Sequence, residues 1–426
     1  MKNLYFQWIL MAFLVFLPFQ FALNSTETID LASIRLIIIG AFFVWFLWAL
    51  FSKNLSFPKT FIFWTGLSFL FLVNLSFLWA QETSWALRKL LFINNFFLLY
   101  IGAVWMFFAK KWTIDGFAKS LSWAGFFSAL FALFALFQFS LPYFIGISQA
   151  IAFWREKIAP FFLGNVFSDA VTQYSSWAVN IGGLTIFRAI GAFPDPHMGA
   201  FFWEICFVWS VFYAIQHKSF LHGLFSGIII LALLLTFSRG AYMGIFLVGM
   251  SIFIFSFFYY KKAQKFLFLS FISLFILFFF LPSNFILERT LSSFSLEDTS
   301  NQGRLSMWWL ALDTIKERPW GVGIGNYALE VLPSAGYRDP IYAHNLYFDI
   351  MVEIGVIAGI LFILWILQGI FIGYRVRKKM IYGWAIVFSL SIFSLHAFFD
   401  TPLYSVHVLP LFLMVMAVAS SLKIKI

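Results

Sequence analysis

The stretch AHNLYFDIMVEIG, residues 343–355, places a histidine and two acids in and beside an apolar run. The imidazole of His344 has an ordinary pKa of about 6.5, so it could act as a general base at neutral pH. It could equally be a buried structural histidine or a residue of the membrane interface. Asp349 and Glu353 stand four residues apart and therefore share a helix face. That face is offset from His344, so we expect the two acids to line a cavity or to pair with an arginine.

Three arginines could bind an anion: Arg188, Arg239 in the short turn TFSRGAYMG, and Arg304 in NQGRLSMWW. An arginine at the hydrocarbon boundary is costly unless it pairs or extends to lipid phosphates, so Arg239 does one or the other. The planar guanidinium binds oxyanions through two donors, and three such groups at one level suit a phosphate or diphosphate. His197 and Asp400 fall on the same side of the membrane, and we interpret His197, which follows PDP, as part of a structural turn.

No motif in the sequence predicts a metal or nucleotide site. There is no Asp-x-Asp pair, P-loop, Gly-x-Gly-x-x-Gly or Cys/His zinc spacing. The glycine-rich GVGIGNY at 321–327 follows no predicted strand, so we interpret it as a tight backbone turn. We therefore expect neither a metal nor a cofactor.

Composition identifies the elements that must position these residues. The chain of 426 residues is 62% hydrophobic and 11% charged, with mean hydropathy +0.91. A soluble domain carries about 25% charged residues, so a polytopic membrane protein is indicated. The net charge of +10 does not predict a nucleic-acid partner, because the basic residues fall in short clusters between apolar runs. The single cysteine, Cys206, excludes an intrachain disulfide.

Crossing a bilayer takes about 20 apolar residues, and we predict twelve spans. They lie at 4–23, 32–51, 60–80, 86–109, 117–141, 199–216, 221–237, 240–260, 266–282, 345–371, 380–399 and 402–422. Basic clusters such as KKAQK at 261–265 and RVRKK at 375–379 place both termini in the cytoplasm. The prediction is an all-α integral membrane protein with one domain, residues 1–426, whose first span is retained.

Two outer segments are long, at 142–198 and 283–344. We predict that the second is a helical periplasmic loop between spans 9 and 10. Its segment 303–319 is expected to form an amphipathic helix on the membrane surface or over a cavity mouth. The apolar face of that helix would contain Leu305, Trp308, Trp309, Leu312 and Ile315. Because the candidate site residues all fall on this outer side, we expect the chemistry there.

Three segments together resemble the O-antigen ligase and O-antigen polymerase superfamily, multispan glycosyltransferases of the bacterial envelope. They are SRGAYMG at 238–244, GRLSMWWLALDTIKERPWGVGIGNY at 303–327 and AHNLYFDIMVEIG at 343–355. Their order and spacing carry the resemblance, which extends over about residues 180–400.

The resemblance implies a glycan donor on undecaprenyl diphosphate, an acceptor that is lipid A–core or another glycan, and a metal-independent reaction at the periplasmic side of the inner membrane. Arg188 and Arg239, with Arg304, would bind the diphosphate, and His344 would take the proton of the acceptor hydroxyl, giving inversion. Residues that would support the site are Asn345, Asp349, Glu353 and Asp400.

The sequence departs from the family pattern at Pro-Asp-Pro-His, residues 194–197, so no role is carried over to His197. Three functions stay open. A ligase would move finished O-antigen onto lipid A–core, and a polymerase would join lipid-linked repeat units. We favour the ligase because of the His-Asn helix start, although Ala358 and Gly359 after Gly355 depart from the ligase pattern. A transporter would favour paired Gly/Pro breaks within spans, and the sequence indicates none.

Overall fold

The computed structural model describes residues 2–26, 29–51, 56–140, 149, 152–173, 176–181, 184–259, 299–337, 339 and 341–422. Most of these residues are helical. A helix satisfies every backbone N–H and C=O within its own segment, which is why apolar segments in lipid adopt it. How the helices pack, and what joins them, therefore decides where the candidate site residues lie.

Within the described ranges, the helices are α1 (Lys2–Phe16), α2 (Ser33–Phe51), α3 (Phe61–Leu75), α4 (Thr83–Phe108), α5 (Ile114–Ser140), α6 (Ala159–Leu163), α7 (Asn165–Gln173), α8 (Pro196–His217), α9 (Phe220–Leu234), α10 (Arg239–Tyr259), α11 (Thr299–Glu317), α12 (Tyr327–Val331), α13 (Leu346–Ile354), α14 (Val356–Val376), α15 (Tyr382–His396) and α16 (Val408–Ser421).

Six helices in the described part of the chain are long and apolar enough to cross a membrane. They are Ser33–Phe51, Phe61–Trp79, Thr83–Phe108, Ile114–Phe137, Pro196–His217 and Val356–Val376. Four shorter apolar helices are Leu4–Phe19, Phe220–Leu234, Tyr382–His396 and Val408–Ser421. The predicted span 266–282 lies outside the described residues, as does 283–298, the first part of the second long outer segment. The number twelve and the orientation of the chain stay predictions.

The core is built around α16. Every residue from Val408 to Ser420 is buried, and the helix packs against α4, α8 and α14. A helix that is apolar all round is typical of a position surrounded by other helices. Helix α8 is also mostly buried and packs against α5, α9 and α15. Glu204 and Ser210, in the middle of α8, therefore face protein.

Two short antiparallel hairpins show that the all-α prediction is wrong in detail. One pairs β1 (Ala22–Thr26) with β2 (Ile29–Ala32), and the other pairs β3 (Ala178–Ile181) with β4 (Leu184–Phe187). The runs of four or five residues are too short to give a periodic signal in the sequence. The second hairpin matters for the site because β4 ends immediately before Arg188.

The predicted span 345–371 is not one helix, because the chain breaks at Gly355 between α13 and α14. Gly355 has φ +112°, which a side chain would make unfavourable. The backbone N–H groups of Val322 and Gly323 donate to the carbonyls of Val352 and Glu353 at 2.8 and 3.0 Å. These bonds satisfy carbonyls that the break leaves without a helical partner. The expectation of uninterrupted spans is therefore corrected.

The same contacts explain the glycine-rich segment 321–327. Gly321, Gly323 and Gly325 all have positive φ, and a Cβ on Gly321 would stand 2.6 Å from the carbonyl oxygen of Glu353. Only glycine allows the two backbones to approach so closely. The predicted tight backbone turn is confirmed.

Helix α11 covers most of the predicted amphipathic segment, but its apolar face is divided. Met307, Ala311 and Ile315 pack into a cluster with residues of α12, of α13 and of the turns before them. In contrast, Leu305 and Trp309 are 41% and 65% exposed. The prediction of a single apolar face was wrong, because the side of α11 that packs against the protein carries Met307 and Ala311, whereas Leu305 and Trp309 point away from it. Contact of α11 with the membrane surface stays a prediction.

Candidate active site

His344 stands in a strained turn at the start of α13. Its φ of +51° lies in the left-handed region, which costs a non-glycine residue about 1–2 kcal/mol. Asn345 caps α13, its side-chain oxygen accepting from the N–H of Tyr347 at 3.0 Å. Asp349 Oδ1 accepts from the N–H of Ala343 at 2.7 Å. The residues on both sides of His344 are thus anchored, and this determines where its ring lies.

His344 lines an open cavity of about 260 Å³, together with Gly303, Arg304 and Met307. Ligand pockets commonly hold about 300–1,000 Å³, so this space suits part of a ligand, such as a sugar ring or a phosphate. The ring of Tyr342 packs edge-on against the imidazole with centroids 4.6 Å apart. Because α11 packs against α13, the fold brings Arg304 and His344 into one cavity.

The electrostatic surroundings of His344 favour its neutral form. Burial lowers the pKa of the His344 imidazole; the carboxylate of Asp400 raises it, and the guanidinium of Arg304 lowers it. The net direction is downward from the ordinary value. Neutral imidazole is the form that accepts a proton, so the site keeps His344 ready to act as a base at neutral pH.

Arg188 follows β4 and is buried, with 3% of its surface exposed. Its Nε donates to the carbonyl of Thr236 at 2.6 Å, and its Nη1 donates to the carbonyl of Ser176 at 3.1 Å. Its Nη2 lies 3.4 Å from Nε2 of His197. Carbonyl acceptors orient the guanidinium without neutralising its charge, and that charge lowers the pKa of the nearby Asp195 carboxyl.

Asp400 and Asp195 complete this side of the site. Asp400 Oδ2 lies 3.3 Å from Nδ1 of His197. Asp195 caps α8, accepting from the N–H of His197 at 2.8 Å. Burial and the nearby Asp400 carboxylate raise the pKa of Asp195 to about 6, against the lowering effect of its backbone donors and of Arg188. His197 therefore links Arg188 to Asp400, a connection that its position in the sequence did not reveal.

Arg239 is the first residue of α10 and is 6% exposed. The preceding residue, Ser238, places its Oγ 3.0 Å from Nδ1 of His197. A Cβ on Gly240 would stand 2.5 Å from Cδ2 of His396, so close packing requires the glycine of this Arg-Gly turn. Arg239 does not line the cavity at His344, and its proposed contact with an anion stays a prediction.

The expected partners of Asp349 and Glu353 need correction. Glu353 pairs with Lys89 of α4 at 2.9 Å rather than with an arginine, and it also accepts from the hydroxyl of Tyr404. Asp349 accepts from the hydroxyl of Thr401 as well as from Ala343. Neither acid lines the cavity. Asp349 instead ties the turn before α13 to the segment that carries Asp400, so it helps to orient His344 after all.

Several contributors to the site were not foreseen. Asp195 could have been found, because an aspartate followed by proline at the first helical position is a typical helix start. Tyr342 and Thr401 carry no comparable signal, since their roles depend on contacts between distant segments. Within the described ranges, no cluster of three His, Cys, Asp or Glu side chains could hold a metal ion.

These features indicate a multi-pass helical membrane protein in which an imidazole and a guanidinium line one cavity. A family model described as O-antigen ligase matches residues 224–363. The match confirms the resemblance to the O-antigen ligase and polymerase superfamily and supports a glycosyltransferase-type role. It includes Arg239, Arg304 and His344, whereas Arg188 and Asp400 lie outside it. No curated protein matches the chain.

Proposed function

We propose that this protein is a metal-independent, inverting glycosyltransferase of the bacterial inner membrane. It would move a glycan from undecaprenyl diphosphate onto an acceptor hydroxyl at the periplasmic side. Its most specific form would be an O-antigen ligase acting on lipid A–core. The observation that carries this proposal is that His344 and Arg304 line one cavity inside the region of the family match.

In the proposed reaction, His344 takes the proton of the acceptor hydroxyl while the hydroxyl oxygen attacks the anomeric carbon of the donor. The bond from that carbon to the diphosphate oxygen breaks on the opposite face, so the configuration inverts. The lipid diphosphate leaves as an anion, and the imidazolium later returns its proton to water. The lowered pKa of His344 supports both proton transfers, because it favours the neutral imidazole before the reaction and the release of the proton to water afterwards.

The arginines would stabilise charge on the leaving group. Two observations support this role: Arg304 lines the cavity, and Arg188 has a buried guanidinium held by carbonyl groups. Guanidiniums fixed before reaction stabilise a developing negative charge without reorganisation. The donor is already activated by its diphosphate, so the reaction as proposed uses no nucleotide and no metal.

A polymerase is the alternative, and it would use the same base and arginines with a second lipid-linked repeat unit as acceptor. The His-Asn start of α13 favours the ligase through the resemblance alone. Asn345 caps the helix, and either enzyme would need that cap. A transporter of the lipid-linked glycan is the third candidate, favoured by the discontinuity between α13 and α14.

Electrophoresis of lipopolysaccharide from a strain that lacks the gene distinguishes the three functions. A ligase predicts loss of all O-chains with polymer accumulating on the lipid carrier. A polymerase predicts core capped by a single repeat unit. A transporter predicts loss of all O-chains without polymer on the lipid carrier.

Complementation of that strain tests the catalytic assignment. The wild-type gene should restore the polysaccharide, and His344→Ala at equal expression should not. His217→Ala is a matched control, because His217 is 41% exposed at the other end of α8, where it pairs with Asp115 at 2.5 Å. Normal polysaccharide in the His344→Ala strain would overturn the proposal of a His344 base.

A further inference from the structure

A chain of buried polar side chains runs from the candidate site into the helical core. Its members are Glu204 of α8, His396 at the end of α15, Ser238 before α10, and His197. Glu204 Oε2 lies 3.1 Å from Nδ1 of His396, and Nε2 of His396 lies 3.3 Å from Oγ of Ser238. Ser238 Oγ lies 3.0 Å from Nδ1 of His197. At its outer end, His197 contacts Arg188 through Nε2 and Asp400 through Nδ1.

The donors in this chain can all point in one direction. A guanidinium only donates, so Nε2 of His197 accepts from Arg188 and Nδ1 of His197 carries the proton. That Nδ1–H is shared between Ser238 Oγ and Asp400 Oδ2. The hydroxyl of Ser238 then donates to Nε2 of His396, whose Nδ1–H donates to the carboxylate of Glu204. Every donor finds an acceptor, and the chain ends at the carboxyl group of Glu204.

Burying these polar side chains costs folding free energy, which indicates that they serve a function. Glu204, His396 and Ser238 are at most 1% exposed, and Glu204 Oε1 is buried with no hydrogen-bond partner among the described residues. Burying a polar group without all of its hydrogen bonds costs folding free energy. Ionisable groups at membrane depth for this reason usually mark a functional path.

The geometry resembles a Ser-His-Glu triad, yet Ser238 is not a nucleophile. Its side chain has no exposed surface and stands between two imidazoles, so no donor sugar can reach its Oγ. The ring of His396 is also held in place, stacked on Phe201 with centroids 3.7 Å apart. A fixed ring and a buried hydroxyl suit an orienting role.

We propose that Glu204, His396 and Ser238 are positioning residues that hold His197 in one tautomer and one orientation. His197 in turn contacts both Arg188 and Asp400, and the charge of the Asp400 carboxylate interacts with the His344 imidazole. The chain thus couples the anion-binding side of the site to the base. Its effect on catalysis rests on the proposed glycosyl transfer, whereas its effect on His197 does not.

Glycan transfer by purified enzyme in detergent tests the catalytic part. We expect Glu204→Gln to lower kcat on the order of 10–100-fold, the usual effect of losing an orienting partner, with a smaller change in KM. In a His197→Gln background, the same Glu204→Gln change should have little further effect, because the chain acts through His197. Additive losses in the double variant would overturn the proposal. If Glu204→Gln does not fold, Ser238→Ala removes the same link.

Side-chain nitrogen NMR of ¹⁵N-histidine-labelled protein tests the structural part without any activity. The protein has six histidines, so single substitutions can assign the signals. His197 and His396 should both show the Nδ1–H tautomer, and Glu204→Gln should shift the His197 signals although Glu204 does not touch His197. Unshifted His197 signals, or an Nε2–H tautomer at His197 or His396, would refute the proposed series of hydrogen bonds, whether or not the protein transfers glycans.

Ser122→Ala is the matched control for both experiments. Ser122 is equally buried and also bridges a histidine, with its Oγ 2.7 Å from Nδ1 of His222 and 2.7 Å from Oγ of Ser210. This second group joins α5, α8 and α9 and has no contact with the chain at His197. Ser122→Ala should leave kcat and the His197 signals unchanged, and an equal loss there would show a general effect of buried serines.

Discussion

Substitutions at His344 should separate the chemistry of its ring from the strain of its backbone. We consider His344→Ala, His344→Gly and His344→Asn. None of the three side chains can accept a proton, so each should abolish glycan transfer. Their stabilities should differ, because φ at this position is +51°. Glycine adopts this conformation freely, asparagine tolerates it, and alanine does not.

The alanine and glycine variants give the cleanest comparison. Both lose the ring contact with Tyr342, so that loss cancels between them. Left-handed strain costs alanine about 1–2 kcal/mol. Glycine loses about 0.5–1 kcal/mol through the extra freedom of its unfolded chain. The difference predicts that the glycine variant is more stable by about 0.5–1 kcal/mol, with asparagine between the two.

Thermal unfolding of the detergent-purified variants measures this order, and transfer of a labelled glycan measures activity. Lys119, exposed in α5, is a matched control with ordinary helical geometry. There the order should reverse, with Lys119→Gly less stable than Lys119→Ala by about 0.5–1 kcal/mol. If any His344 variant transferred glycan at nearly the wild-type rate, the assignment of His344 as the general base would be refuted. An alanine variant more stable than the glycine variant would refute the backbone reasoning.

Three further predictions concern the surroundings of this turn. Asp400→Asn removes the carboxylate that raises the pKa of His344, so the acid limb of kcat/KM should move to lower pH; a move to higher pH would contradict the electrostatic assignment. Asp349→Ala should cost about 2–5 kcal/mol of stability, because the buried N–H of Ala343 and the half-buried hydroxyl of Thr401 lose their acceptor. Asp349→Asn keeps one acceptor oxygen and should cost less, as denaturation of both variants would show. Gly240→Ala should destabilise the protein by about 1–3 kcal/mol, because its Cβ would stand 2.5 Å from an imidazole carbon, while Gly223→Ala in α9, with open space around it, should not.

The helices could be predicted from composition because apolar backbone in lipid has few other ways to satisfy its hydrogen bonds. The residue types at the site could be predicted for a related reason. A histidine or an arginine beside an apolar run is expensive, so His344, Arg239 and Arg304 were conspicuous in the sequence. That Arg304 and His344 meet in space was not visible, since their shared cavity depends on α11 packing against α13.

Other features had no local signal. The break at Gly355 is stabilised by N–H groups of Val322 and Gly323, more than thirty residues earlier in the chain. The pairing of Glu353 with Lys89 joins α13 to α4, and helix periodicity alone could only say that Glu353 faced something polar. Hairpins of four residues a strand depend on the turns around them rather than on a repeated pattern.

By itself, the amino-acid sequence determined that this is a helical membrane protein with a candidate base and several guanidiniums, because burial cost and hydropathy act on each segment separately. Only the tertiary structure decided that Arg304 shares a cavity with His344. It also decided that a buried chain from Glu204 ends at His197. Those relations depend on distances between groups from different helices, and helix packing alone sets such distances.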